Sequence, residues 1–133
     1  MSLKIQPREV AHVTILDVTG RIVLGDEIGA LRDAVRNLIA DGKKKIILNL
    51  AGVDYMDSSG VGELVSSYTT VRNAGGIAKL LNLNKRNVEL LIATKLATIF
   101  EIFNGEQDAV NSFFPGREIK GFDILEFVKT QKD

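Results

Sequence analysis

The chain has no cysteine, no tryptophan, one histidine and two prolines among its 133 residues. Without cysteine there is no disulfide, no thiolate nucleophile and no cysteine-ligated metal, and the lone His12 cannot build a zinc site by itself. Charge of one sign is lacking too. Seventeen Lys and Arg balance seventeen Asp and Glu, so no global field steers the chain toward nucleic acid or anionic lipid. No apolar run approaches the ~18–20 residues that cross a bilayer. The start, Met1-Ser2-Leu3-Lys4-Ile5, lacks the apolar core and cleavage site of a signal peptide. These absences lead us to expect a cytoplasmic protein with no metal site, no membrane insertion and no nucleic-acid partner. What is present is ordinary for one globular domain: 45% hydrophobic and 26% charged residues, in a chain long enough to bury a core.

In chain order, residues 3 to 7 read as a short edge strand that stops at Pro7. Val13 to Thr19 is β-branched and nearly alternating; it reads as a strand that Gly20 ends, with Arg21-Ile22-Val23 a brief extension. His12 stands at its mouth as a solvated residue. Asp26 is a candidate cap for a helix whose inner face carries Ile28, Leu31, Val35, Leu38 and Ile39, and Gly42 supplies its stop. After the solvated turn Lys43-Lys44-Lys45, Ile46 to Leu50 is too continuously apolar for a strand with one wet face, so it predicts a parallel strand covered on both sides. A loop carrying Asp54 and Asp57 follows, then a helix from about Ser58 to Ala74, closed by Gly75-Gly76. Ile77 to Leu81 predicts a further strand, Asn82 to Asn84 a capping turn, and Val88, Leu91, Ile92 and Leu96 a third helix. Ile102-Phe103 is a candidate last strand and Gln107 to Phe114 a fourth helix. The expected fold class is α/β: a mixed sheet with mostly parallel later strands and about four packed helices. Residues 1–114 are read as the domain and 115–133 as an extension. Phe122, Leu125, Phe127 and Val128 there are apolar enough to dock, on this chain or on a partner.

Catalysis finds little support. Ser58 and Ser59 have no base in evident reach, and the Gly-x-Ser-x-Gly elbow is absent. Asp54 and Asp57 have plainer roles, Asp57 as a helix cap and Asp54 in the turn. There is no Walker loop or dinucleotide fingerprint, and Gly60-Val61-Gly62 alone is weak evidence for one. The serines at the head of a helix remain. There, unsatisfied amides and the positive dipole end receive oxygen ligands well. Ser58 is therefore either a cap or a site for phosphate. Small residues at 58 to 60, with Gly62 one turn on, leave the place open to a kinase. A phosphate, bringing ~1.5–2 negative charges, is tolerable at a helix N-terminus but disruptive at an interface, especially beside Asp57.

Val53-Asp54-Tyr55-Met56-Asp57-Ser58-Ser59-Gly60-Val61-Gly62 closely resembles the signature of the bacterial anti-sigma factor antagonists, small proteins of the STAS domain family. Val18-Thr19-Gly20-Arg21-Ile22, Asn49-Leu50, Asn73-Ala74-Gly75-Gly76 and Leu80 to Asn84 resemble flanking segments, and the likeness covers about residues 3 to 114. The resemblance implies a phosphoswitch. The unphosphorylated antagonist binds an anti-sigma factor that is also a serine protein kinase, and so frees a sigma factor. The kinase phosphorylates Ser58, and a metal-dependent serine phosphatase restores it. Asp57 and Ser59 flank the acceptor, Gly60 lets the helix start there, and Gly62 belongs to the same loop. ATP and Mg²⁺ would belong to the kinase, so no cofactor is expected in this chain; a homodimer stays open.

Two departures stand out. Where the family commonly carries Gly-Glu-x-Asp after the strand-end glycine, this chain has Arg21 and Val23. Where the third helix usually ends in Thr-Gly-Leu, it has Thr94-Lys95-Leu96. Two alternatives also stand: a non-catalytic scaffold subunit of a stressosome-like or lipid-transport complex, and a small-ligand-sensing module.

Overall fold

The computed structural model describes residues 3–119 and 122–130. It begins with a hairpin of β1 (Lys4–Val10) and β2 (Val13–Ile22). The hairpin turns at Ala11 and His12, both left-handed, with φ of 52° and 68°. Pro7 does not stop the strand. It pairs with Leu16 in the antiparallel ladder, which an outermost strand permits because a missing N–H can face away from the partner. The expected break at Gly20 does not occur either. Gly20 lies inside β2 at φ 125°, where the pairing slips by a residue.

Three crossovers build the rest of the sheet. Helix α1 (Asp26–Ala40) leads to β3 (Lys45–Met56), α2 (Ser58–Asn73) to β4 (Ile77–Leu81), and α3 (Lys85–Ala93) to β5 (Ile102–Phe103). Spatial order follows chain order, β1-β2-β3-β4-β5; β2 to β5 are parallel. Alternation then sorts the apolar side chains. Leu16, Val18, Ile46, Leu48, Leu50 and Leu80 meet Leu31, Val35, Leu64, Val71, Val88 and Leu91 of α1 to α3. Val13, Ile15, Ile47 and Leu81 face the other way, under Ala109 and Val110 of α4 (Glu106–Asn111). Both faces of β3 are covered, as its unbroken apolar run requires.

Several boundaries differ from the sequence reading, each for a local reason. Gly25, not Asp26, is the N-cap of α1, and no side chain caps that end. Asp26 instead joins Glu27 in the first turn, where the dipole favours carboxylates. Helix α4 stops at Asn111 rather than Phe114, and the Ser112 hydroxyl donates back to the Ala109 carbonyl at 2.6 Å. Among the described residues there is also a fifth helix, α5 (Ile124–Thr130). Its Ile124, Phe127 and Val128 pack against the α1–α3 side of the core.

The difference that matters most is the length of β3. Lys45 to Asn49 pair with β4, and the strand then runs on to Met56 against β2 alone. Asp54 is thus an exposed strand residue rather than part of a loop. The slip between the two registers is managed by Asn49. Its side-chain Nδ2 donates to Asp17 Oδ1 at 2.8 Å while its side-chain Oδ1 accepts from the Ala51 N–H at 3.2 Å. The result is a two-stranded overhang of β2 and β3 that rises past the sheet and ends at Asp57.

Candidate functional site

Asp57 joins the two chain segments that leave this overhang. Its backbone N–H donates to the Ile22 carbonyl at 3.3 Å, which ties the end of β3 to the end of β2. One carboxylate oxygen accepts from the Gly60 N–H at 2.8 Å, so Asp57 is the N-cap of α2. The other accepts from the Leu24 N–H at 3.1 Å and fixes the β2–α1 loop. Burial opposes its charge most strongly, yet the amides of Leu24, Gly60, Ser59 and Asp57 together outweigh it and hold the carboxyl below the usual aspartate range.

Because Asp57 takes the cap, Ser58 does not. Ser58 is the first residue of α2 and is exposed. Ser59 is half-buried, and the first turn of α2 holds no acidic residue. Gly60 is fully inside, where a Cβ would stand 2.1 Å from the Ile22 carbonyl oxygen. The close crossing of α2 over the end of β2 requires glycine. Gly62 is the opposite case: it is exposed, and a Cβ there would meet nothing. All five residues singled out in the sequence, Asp57, Ser58, Ser59, Gly60 and Gly62, lie in the cap and first turns of one helix.

Helix α2 is held against α1 by Glu63, only 3% exposed. Arg32 of α1 bonds its Oε1 at 2.9 Å and the Ser67 hydroxyl donates to its Oε2 at 3.1 Å. The other flank of the site was not foreseen. Arg21 stacks over the Tyr55 ring at 4.8 Å, and Arg86, in the first turn of α3, stacks over the same ring at 4.6 Å. Leu24, 76% exposed, stands beside the cap. The one signal of this group in the sequence is Arg21, in place of a carboxylate. His12, exposed in the β1–β2 turn at the opposite end of β2, lies far along the strand from Ser58.

The fold and site define a small α/β domain with an exposed serine at a helix head. The chain belongs to the STAS domain family, whose model matches residues 4–109. Among curated proteins, the Bacillus subtilis anti-sigma-B factor antagonist is 42% identical over 53 residues, 40% of this chain and 49% of that protein. The match thus spans about half the length of that relative. Among solved structures, a candidate anti-sigma factor antagonist from Thermotoga maritima superposes with TM-score 0.74 at 23% identity, covering 81% of this chain and 92% of the other. The Bacillus cell-fate determinant SpoIIAA in its phosphorylated form superposes with TM-score 0.64 at 20% identity, covering 84% and 100%. These likenesses establish the fold. No helix among the described residues is long and apolar enough to cross a membrane.

Proposed function

We propose that this protein is a cytoplasmic anti-sigma factor antagonist, a binding protein rather than an enzyme, switched by phosphorylation of Ser58. The observation that carries the reading is the division of labour at the head of α2. Asp57 supplies the cap, which leaves the Ser58 hydroxyl exposed and without a hydrogen bond to the described residues. A hydroxyl needed for capping would be the wrong one to modify; this one is spare. The similarity to the anti-sigma-B factor antagonist supports the partner class.

In this reading the unmodified loop docks on an anti-sigma factor that is also a serine kinase. The kinase transfers the γ-phosphoryl group of ATP to Ser58 Oγ, releasing ADP and the hydroxyl proton, and a serine phosphatase returns the hydroxyl by hydrolysis. ATP and Mg²⁺ are held by the kinase. Within the domain the new phosphate meets the positive end of a 16-residue helix with no acidic residue in its first turn, so the fold tolerates it. In the complex the same charge lies next to Asp57 on a desolvated surface, and repulsion with desolvation expels it.

Phosphosite mapping by mass spectrometry, on protein isolated from its host with its bound partners, tests the reading. Phosphate on Ser58 and a serine-kinase partner are expected. An unmodified Ser58 under all growth and stress conditions, in a stable multi-subunit complex, would replace the switch with a scaffold role.

A further inference from the structure

We infer that Arg21, Tyr55 and Arg86 form a cationic platform that reads an acidic face on the anti-sigma factor. The inference rests on the Ser58 switch and names the chemistry of the surface that the loop meets. Three observations carry it. First, both guanidinium groups stack on one ring, at 4.8 and 4.6 Å, and among the described residues neither has a carboxylate within ion-pair distance. Arg8 pairs with Asp17 and Glu106, and Arg32 with Glu63; Arg36, Arg72 and Arg117 have no ion pair among the described residues either, but none of them shares a ring with a second guanidinium. Asp54, next to Tyr55 in β3, projects to the other side of the strand and forms no ion pair with Arg21 or Arg86.

Second, Arg86 is placed against its own helix. It follows Lys85 in the first turn of α3, which holds no acidic residue, where the dipole opposes cations. In the free domain the Tyr55 ring is the one described group that favours this cation, whereas a carboxylate brought by a partner would be welcomed by both the guanidinium and the dipole. Third, the platform adjoins the switch. Arg21 and Tyr55 are ladder partners in β2 and β3, one step before Ile22 and Met56, and the Ile22 carbonyl receives the Asp57 N–H. Arg and Tyr are the side chains that most often dominate interface energies. Stacking on Tyr55 has already ordered both arginines, which reduces the entropy lost on docking. Leu24, exposed and bonded through its N–H to Asp57, adds an apolar anchor.

The test is a binding titration of the full chain against the purified host kinase that phosphorylates Ser58, at low and high salt. The double charge reversal Arg21→Glu with Arg86→Glu is expected to weaken binding of the unmodified protein at least tenfold, by an amount that shrinks as salt rises. The neutral pair Arg21→Gln with Arg86→Gln should fall between, and Arg36→Glu, on the exposed face of α1, should leave binding unchanged. Thermal melts of all variants verify folding, and the neutral pair remains informative if the reversal unfolds the chain. Unchanged or tighter binding by a folded reversal, with Ser58 still phosphorylated, overturns the platform and leaves the switch standing. Weakening that does not shrink as salt rises would assign the effect to packing rather than to charge, and overturns it too. A host without any kinase acting on Ser58 overturns the switch, and the platform with it.

Discussion

The Cα of Gly60 lies so close to Ile22 that a methyl group there would stand 2.1 Å from the Ile22 carbonyl oxygen. The contact sets how closely α2 crosses the end of β2, and so where Ser58 emerges. Gly60→Ala must push the helix away or break the Asp57 N–H bond to the same carbonyl. A loss of about 2–4 kcal/mol is expected, from overpacking plus a disrupted cap. Gly62→Ala, in open space two residues on, is expected to stabilise by about 0.5–1 kcal/mol through helix propensity. Urea denaturation of the two variants checks both signs.

Asp57 links pH to the integrity of the site. Its folded-state pKa is depressed, so its contribution is complete above the unfolded aspartate value of about 3.9 and disappears as pH falls through the lower folded value. Asp57→Ala should cost about 1–2 kcal/mol at pH 7 by removing the cap. The gap between wild type and variant should narrow on acidification below about pH 4. Asp57→Asn, a competent neutral cap, should recover much of the loss at pH 7. Thermal melts between pH 7 and pH 3 measure all three curves.

Arg32 matters more than its exposure suggests, because its partner Glu63 is buried. Arg32→Ala leaves that carboxylate with the Ser67 hydroxyl alone, at an expected cost of about 1–3 kcal/mol. Arg32→Ala together with Glu63→Gln removes the unpaired charge and should cost less than Arg32→Ala alone. A double-mutant cycle in denaturant measures the coupling.

Ala11, His12, Asn82 and Lys95 all hold left-handed backbone without being glycine, and Lys95 and His12 make direct tests of the cost. Lys95 ends α3 at φ 62°, with the Leu96 N–H reaching back to the Leu91 carbonyl at 2.9 Å. His12 turns the β1–β2 hairpin. Lys95→Gly and His12→Gly should each stabilise by about 1 kcal/mol, since glycine pays no steric cost there. Higher melting temperatures with unchanged partner binding are the expected result.

Periodicity made much of this architecture legible. The apolar run Ile46–Leu50 announced a strand covered on both sides, and Asp57 before three small residues announced a capped helix start. The rest depends on partners distant in sequence. Ala51, Gly52 and Asp54 read as loop residues, because nothing local shows that β2 continues beside them. Lys95 read as a lost glycine, yet the Schellman-type bond to Leu91 holds the left-handed turn without one. The Arg21–Tyr55–Arg86 stack draws on β2, β3 and α3, so no single window of sequence contains it. Ser58, Ser59, Gly60 and Gly62 fall together because they belong to one short segment.

In the proposed switch, one phosphate on Ser58 leaves the domain folded and breaks its complex. Calorimetric titration of the anti-sigma-factor kinase with stoichiometrically phosphorylated and unmodified protein tests this directly, with thermal melts of both forms alongside. Similar melting temperatures and an affinity at least a hundredfold weaker for the phosphorylated form are expected. Equal affinities for the two forms would contradict the switch.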